Sequence, residues 1–289
     1  MKTLARATAL ALVALTLALV GLPAAAANGD DGKAGAYGKD NGKGHQHTYT
    51  VSVRNLTENQ ILTPPAFAVH TARADIFTVG QPASLLVQEI AENGNLTPLT
   101  EALPDVKGVR ASGVGAGEQG PLLPGEDRWF DIATGRGARL FSSVQMVVCT
   151  NDGFAGIDAV QLPRKKGKST KVYAFAWDAG TEVNTDALAD FVPPCSGGTT
   201  GTDMSNPDLA EGGVIAPHPG LRGEAATMWA FDADAPVAVF EITRTSGGLG
   251  GAGAAGRRVG PSRAWPPTTR PARSWRRAGC GATGHRTNV

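Results

Sequence analysis

Two short apolar runs, each followed by acidic residues, constrain the fold of this chain most strongly. Residues 143–148 and 172–177 have the length and composition of β-strands. The acids that follow them are Asp152 and Asp158 after the first run, and Asp178 and Glu182 after the second. If both runs lie in one sheet with these loops at the same end, the carboxylates gather there. Calcium sites are commonly built from such oxygen-rich loops.

The rest of the chain also predicts short strands separated by turns. Residues 49–55 alternate between polar and apolar side chains, which is typical of a half-buried strand. Further strands are predicted at residues 66–70, 128–132, 139–148, 153–162 and 236–243. Residues 84–93 predict one short helix, and the Gly- and Pro-rich residues 108–125 predict a long loop. We therefore predict an all-β fold, an antiparallel β-sandwich with one short helix.

The amino-terminal segment predicts export. Lys2 and Arg6 precede an apolar run at residues 7–22, and small residues follow at 23–27. This pattern is typical of a secretory signal peptide, here residues 1–27. No other stretch has the roughly 18 apolar residues that a spanning helix requires. We therefore expect a secreted, extracellular protein without a transmembrane segment.

The remaining chain divides by composition into three parts. Residues 28–47, rich in Gly, Asp and Lys, predict a flexible linker, and residues 48–244 predict the folded domain. Residues 245–289 are dominated by Gly, Ala, Arg and Pro, which predicts a disordered tail. Because this tail resembles a GC-rich reading frame translated out of phase, a frameshifted end is a further hypothesis for it.

The net charge of +1 conceals an acidic domain. Eight of the 27 basic residues, all arginine, follow Arg244, and two more belong to the predicted signal peptide. The 17 that remain accompany 26 acidic residues, a balance of −9. An acidic exported domain suits divalent cations and argues against a nucleic-acid partner. The basic turn at residues 163–171 is interpreted as a solvated hairpin loop, with a heparin-like or phosphate contact as the alternative.

Cys149 and Cys195 are the only cysteines of the predicted domain. In an oxidising extracellular compartment we expect them to form a disulfide, with two buried thiols as the alternative. The bridge would join the end of the first acid-ended strand to the loop that contains Pro193 and Pro194. Cys280, in the tail, is assigned no role.

Two motifs around the acidic residues resemble a known family. Residues 146–158 read Met-Val-Val-Cys-Thr-Asn-Asp-Gly-Phe-Ala-Gly-Ile-Asp, and residues 173–184 read Tyr-Ala-Phe-Ala-Trp-Asp-Ala-Gly-Thr-Glu-Val-Asn. Together with residues 77–83, before the predicted helix, and the last strand, they are similar to the spondin N-terminal domain in its bacterial single-domain form. The similarity spans residues 49–244.

The resemblance implies a C2-like β-sandwich that binds a calcium ion through loops at one end. Matched position by position, the ligand carboxylates would be Asp152, Asp178 and Glu182. The family more often has aspartate where this chain has Glu182, so the longer side chain is a departure. Asp158, six residues beyond Asp152 along the following strand, is ranked as a second-tier ligand. The ion would neutralise these acids and order their loops, which is a structural role.

The predicted function is a secreted, calcium-binding, non-enzymatic module that mediates extracellular or cell-envelope binding, such as adhesion. Its partner would be a protein or a glycan, and we expect the chain to be a monomer. One alternative is a metal-free structural protein of the cell envelope. In that alternative Asp152 is a turn residue of Asn-Asp-Gly, and the other acids are solvated loop charges.

A secreted hydrolase is the other alternative. The motifs Gly-X-Ser-X-Gly and His-Glu-X-X-His do not occur in the sequence. His70 or His218 could still complete a triad with Asp75 or Asp208, because sequence does not determine distances. His218 lies between two prolines, and a histidine in that setting is more simply structural.

Overall fold

The computed structural model describes residues 46–116, 119–135, 137–196 and 204–247. The predicted signal peptide, most of the predicted linker and most of the predicted tail lie outside these residues. The first strand begins at His47 and the last strand ends at Gly247, so the folded region extends slightly beyond the expected bounds of 48–244.

Nine β-strands form within these ranges. They are β1 His47–Asn55, β2 Ala66–His70, β3 Val109–Val114, β4 Asp127–Thr134, β5 Leu140–Met146, β6 Gly153–Gln161, β7 Ser169–Asp178, β8 Ala216–Pro217 and β9 Ala238–Gly247. All strand pairs are antiparallel, and eight strands follow the order β3-β2-β5-β6-β7-β9-β1-β4, with β8 paired to β7. The edge strands β3 and β4 approach each other, so the sheet is nearly closed and barrel-like. The predicted all-β class is confirmed, and the sandwich arrangement stays a prediction.

Three short α-helices accompany the strands in the described part of the chain: α1 Leu85–Asn93, α2 Thr97–Ala102 and α3 Gly223–Trp229. The predicted helix is confirmed as α1, which begins after Ser84, whose hydroxyl accepts the Val87 N–H at 3.3 Å, and ends at Gly94 with a left-handed φ of 64°. The expectation of a single helix is wrong. Because α2 and α3 span few turns, they show no helical period, and burial of Leu99 and Ala225 holds them instead. None of these helices is long and apolar enough to cross a membrane.

The predicted loop at residues 108–125 is wrong over its first half. Val109–Val114 forms β3, which pairs with β2 so that Ser112 lies opposite Ala68. Glycine weakens a strand locally, but the hydrogen bonds to β2 and the burial of Val109 and Ala111 outweigh that weak propensity. The local sequence pattern favours a loop here, because it gives no information on the pairing with β2, which is distant in sequence.

Two apolar clusters lie on opposite faces of the central strands. Phe67 and Val69 of β2 pack with Phe141 in one cluster, whereas Ala66 and Ala68 belong to the other cluster, which α1 and α2 cover. This burial on both faces explains why β2 and β5 read as continuous apolar runs rather than alternating ones.

Antiparallel pairing brings both acid-ended runs to one end of the sheet. β5 and β7 each pair with β6, so they run in the same direction and end on the same side. Gly153, the first residue of β6, lies opposite Asp178, the last residue of β7. The expectation that the two acidic loops share one end is confirmed.

The predicted disulfide between Cys149 and Cys195 is confirmed, with Cα atoms 5.2 Å apart across 46 residues of chain. The Gln60 side chain holds the backbone of Cys149, because its Nε2 donates to the Cys149 carbonyl and its Oε1 accepts the Cys149 N–H, each at 3.2 Å. Trp229 Nε1 donates to the Cys195 carbonyl at 3.2 Å. The bridge therefore joins the loop after β5 to the chain beyond β7, at the end of the sheet where the acids lie.

Candidate functional site

Asp152 is the most deeply buried of the predicted ligands, with 0% of its surface exposed. Its Oδ2 accepts the Thr181 N–H at 2.7 Å, the Thr181 hydroxyl at 3.2 Å and the Glu182 N–H at 3.1 Å. Its Oδ1 is buried and has no hydrogen-bond partner among the described residues. One oxygen of this carboxylate thus holds the loop after β7, while the other is unpaired.

Asp178 ends β7 and organises the same loop from its other side. Its Oδ1 accepts the Gly180 N–H at 2.7 Å, and its Oδ2 accepts the side-chain amide of Asn184. The Ala179 N–H donates to the backbone carbonyl of Asp152 at 3.2 Å, which ties the two acidic loops together. Both side-chain oxygens of Asp178 are therefore engaged with the protein.

Glu182 lies in the loop that Asp152 holds, and it is 5% exposed. Its Oε1 accepts the Asn206 N–H at 2.9 Å, and its backbone bridges to Ala210. The longer side chain thus reaches across to a later segment of the chain. We call the three carboxylates Asp152, Asp178 and Glu182 the acidic cluster.

Burial raises the pKa values of two acids of the cluster. Loss of solvation raises the pKa of Asp152 to about 6, and the charge of Asp178 adds to it, although N–H groups of Thr181 and Glu182 act in the opposite direction. Burial also raises the pKa of Glu182 to about 7, with further contributions from neighbouring acids that include Glu92 and Asp152. At both carboxyls the charges of neighbouring acids add to the effect of burial on the pKa.

The acidic cluster has the ligand chemistry of a calcium site without a converged ligand geometry. Among the described residues, no three His, Cys, Asp or Glu side chains are grouped so that they could hold a metal ion. Both oxygens of Asp178, one of Asp152 and one of Glu182 already accept protein donors. Asp152 Oδ1 is a carboxylate oxygen, the ligand type that calcium prefers, and it has no hydrogen bond to another described residue.

Two glycines permit the close packing of this end. A Cβ atom on Gly153 would lie 2.4 Å from the Thr150 hydroxyl oxygen and 3.0 Å from a ring carbon of His218. A Cβ atom on Gly180, whose φ is +68°, would lie 2.6 Å from the Val214 backbone nitrogen. Glycine is therefore required at both positions that flank the acidic cluster.

His218, for which the sequence favours a structural role over a place in a triad, is a buried group of this end. It is 2% exposed, and its Nδ1 accepts the Gly220 N–H at 3.0 Å, so the neutral ring carries its proton on Nε2. That Nε2 is buried without a hydrogen-bond partner in the part of the chain that the structure describes. Burial lowers the pKa of His218 to about 4, although the charge of Asp178 acts in the opposite direction.

Asp158, the second-tier residue, lies apart from the acidic cluster. It is five residues beyond Gly153 along β6, which corresponds to about 17 Å at the rise of a β-strand. Its Oδ1 accepts the Ser142 hydroxyl at 2.6 Å. Burial raises the pKa of Asp158, against the Ser142 hydrogen bond, and the charge of Asp75 raises it further. The structure therefore groups Asp158 with other partners than Asp152.

The residue types of a hydrolytic triad meet at this second place. His70 Nε2 lies 2.8 Å from the Ser142 hydroxyl that also donates to Asp158. Ser142 is 0% exposed, and its hydroxyl oxygen accepts the Ala159 N–H at 2.8 Å. Because a nucleophile must reach its substrate, these contacts make Ser142 a support of the irregular β5–β6 pairing rather than an accessible reactive group.

Several residues that build the acidic end carry no sequence signal of their own. Thr181 and Gln60 act through hydrogen bonds to Asp152 and to Cys149, and neither is a ligand carboxylate that the sequence predicts. The Pro-His-Pro context of His218 was the one available signal, because such a rigid segment can hold a ring in place.

None of the protein-family models compared with this chain matches it, and no curated protein matches its sequence. The resemblance to the spondin domain therefore stays a prediction. The acidic cluster and the disulfide that lies beside it are the observations on which a functional proposal rests.

Proposed function

We propose that this chain is a secreted, non-enzymatic module that binds calcium through its acidic cluster and binds an extracellular or cell-envelope partner. In this proposal the nearly closed sheet is a C2-like β-sandwich of the spondin type, and the partner is a protein or a glycan. The observation that carries the proposal is the buried, unpaired Oδ1 of Asp152 beside two further buried carboxylates.

The energetic state of the cluster supports this proposal. The pKa of Asp152 is raised to about 6 and that of Glu182 to about 7, because both charges are buried next to other acids. A divalent cation at this position would supply the missing counter-charge and favour the ionised forms. Carboxylate oxygens in loops are the ligands that calcium prefers, and the cluster contains no thiolate.

The chain's own residues determine how the site would respond to the ion. Asp152 would bind through Oδ1 while its Oδ2 keeps the Thr181 and Glu182 N–H groups in place. Asp178 would have to exchange a protein donor for the ion, because both of its oxygens accept hydrogen bonds. We therefore expect modest affinity, with a dissociation constant on the order of 10⁻⁴–10⁻³ M, as in other extracellular modules.

Calcium titration of chelator-treated protein tests the proposal. At 10 mM calcium, which is about ten to a hundred times that dissociation constant, binding would stabilise the fold by about 1.4–2.7 kcal/mol. For a domain of this size we expect the melting temperature to rise by roughly 3–10 °C. Asp152→Asn should abolish this rise. Asp234→Asn, which neutralises an exposed acid outside the cluster, should retain it. The proposal is refuted if calcium leaves the melting temperature of the parent protein unchanged.

A metal-free structural module is the second candidate function. It is favoured by the hydrogen bonds that already engage both oxygens of Asp178, and by the lack of a converged ligand group among the described residues. In that case the acids order the loops through backbone N–H groups alone. The same titration separates the candidates, because a metal-free module shows equal melting temperatures with chelator and with calcium.

A further inference from the structure

A cavity of about 340 Å³ lies at the end of the sheet opposite the acidic cluster. Its lining contains three arginines together with a histidine, a tyrosine and small apolar residues: His47, Tyr49, Gly137, Ala138, Arg139, Leu162, Pro163, Arg164 and Arg244. We call it the basic pocket. Its volume is at the lower end of the range typical of small-molecule sites, about 300–1,000 Å³.

Strand direction places the basic pocket far from the acidic cluster. The pocket is built from the first residues of β1, the chain before β5, the chain after β6 and the last part of β9. β7 runs from this end to Asp178, and its ten residues correspond to about 30 Å of strand. The two sites therefore lie at opposite ends of the sheet and share no residue.

The charge of the pocket is strongly positive. Among the described residues, the lining contains three guanidinium groups and no Asp or Glu. The Arg139 and Arg164 side chains are exposed and make no ion pair or hydrogen bond among the described residues. This is unexpected in a domain whose balance of charges is −9, where acidic partners are plentiful.

Arg244 fixes the shape of the pocket. One of its terminal nitrogens donates to the backbone carbonyl of Arg164, and the other lies 2.8 Å from Nδ1 of His47. Backbone hydrogen bonds from Gly167 to Arg244 and from Arg244 to Lys168 hold the turn after β6 against β9. The side of the pocket that carries Arg164 is therefore positioned by the fold.

The buried part of the pocket's lining is mostly apolar. Ala138, Leu162 and Tyr49 each line the cavity and are at most 5% exposed. Burial raises the pKa of the Tyr49 phenol, although the Arg244 charge acts in the opposite direction, so the phenol stays neutral. Arginine side chains together with apolar and aromatic lining residues are suited to a small organic molecule that carries an acidic group.

We propose that the basic pocket binds the carboxylate, sulfate or phosphate group of a small acidic molecule, with Arg139 and Arg164 as its binding residues. The guanidinium group offers paired N–H donors that match such oxyanions. The pocket does not require the acidic cluster, so it can bind its ligand whether or not the chain binds calcium.

Titration calorimetry at low ionic strength and in the presence of a chelator tests this site. The probes are glucuronate, inorganic sulfate and inorganic phosphate, with neutral glucose as the blank. The test variant is Arg139→Gln with Arg164→Gln. The matched control is Arg73→Gln with Arg110→Gln, which removes the same two charges from exposed positions outside the pocket.

We expect saturable binding of at least one anion and none of glucose. The pocket variant should bind that anion more than about tenfold more weakly, because two charged hydrogen-bond donors are lost, whereas the control should bind like the parent. The anion that binds best identifies the acidic group. The proposal is overturned if no anion saturates the parent, if the pocket variant binds like the parent, or if the control loses as much affinity as the pocket variant. Both variants should keep the parent's melting temperature, since the altered side chains are exposed.

Discussion

The two ends of the sheet handle charge in opposite ways. At one end, the acidic cluster is at most 8% exposed, and most of its oxygens accept backbone or amide N–H groups. At the other end, Arg139 and Arg164 are exposed around an open cavity and have no such partners among the described residues. The carboxylates at the first end bind donors of the protein itself, whereas the guanidinium groups of Arg139 and Arg164 at the second end face solvent.

The difference follows from the chemistry of the side chains. A buried carboxylate can take up a proton, and the raised pKa values of Asp152 and Glu182 reflect that tendency. A guanidinium does not lose its proton at any ordinary pH, so burying it without a partner would be far more costly. We therefore expect the acidic end to respond to pH and to calcium, and the basic end to respond to anions.

Removal of the disulfide should lower the free energy of unfolding more than any other change proposed below. Its effect should fall on the acidic end, where the bridge lies. The bridge closes a loop of 46 residues, for which the chain-entropy relation gives about 4 kcal/mol of stabilisation. Cys149→Ser with Cys195→Ser should lower the free energy of unfolding by that amount in urea titrations. Cys280→Ser, which keeps both bridge cysteines, should unfold like the parent. A loss below about 1 kcal/mol would contradict the proposed support by the bridge.

Neutralising Asp152 should reveal the cost of its buried charge. Its folded pKa of about 6 exceeds the ordinary value of 3.8, so its contribution to stability is complete below pH 3.8 and is lost as pH rises through 6. In calcium-free protein at pH 8, Asp152→Asn should be more stable than the parent by up to about 3 kcal/mol. The difference should vanish near pH 4.

Urea titrations at both pH values measure this difference between the two proteins. The comparison cancels the contribution of His218, whose lowered pKa of about 4 gives the opposite pH trend. Asp234→Asn serves as the control and should show no pH-dependent difference from the parent. Equal effects of Asp152→Asn at pH 8 and pH 4 would contradict the buried-charge account.

Adding one methyl group at Gly153 should test whether the acidic end requires its close packing. The new Cβ atom would meet the Thr150 hydroxyl at 2.4 Å and His218 at 3.0 Å, so the acidic end would have to shift. We expect Gly153→Ala to cost about 2 kcal/mol in thermal or urea unfolding. Gly212→Ala, where nothing lies within 4 Å, should change stability by less than about 0.5 kcal/mol. Similar values for both variants would show that the close packing is not required.

The smallest loss of stability should come from a change at Ser142, which supports the pairing of β5 with β6 and lies at neither end of the sheet. Ser142→Ala removes the hydroxyl that contacts His70, Asp158 and the Ala159 N–H, and should cost about 1.5 kcal/mol. The exposed Ser169→Ala removes one surface hydrogen bond and should cost less than about 0.5 kcal/mol. Hydrolysis of a generic ester by the parent, lost in Ser142→Ala, would instead revive the hydrolase alternative.

Local sequence patterns predict much of the acidic end. Apolar runs of strand length marked β5 and β7, and the acids directly after them marked the loops. The Ser84 cap and Gly94 end marked α1 in the same way. These features are local, since capping, turn residues and strand composition act within a few positions of the chain.

The predictions that were wrong concern features that depend on contact between segments distant in sequence. β3 is a strand because β2 lies beside it, and α2 and α3 are helices because their buried residues pack on the core. Asp158, which the sequence ranks below Asp152 as a ligand, is separated from it by the extended strand β6. The basic pocket joins four separate segments, so no single stretch predicts it.

The sequence by itself predicted most of the strands, made Cys149 and Cys195 the expected disulfide pair and placed the acids at strand ends. Composition and short-range pattern suffice for these features, because they depend on neighbouring residues and on the redox compartment. Only the tertiary structure decided which oxygens already accept hydrogen bonds, that His218 is buried beside Asp178, and that three arginines surround one cavity. Strand register and loop packing set these distances, and both are properties of the whole sheet.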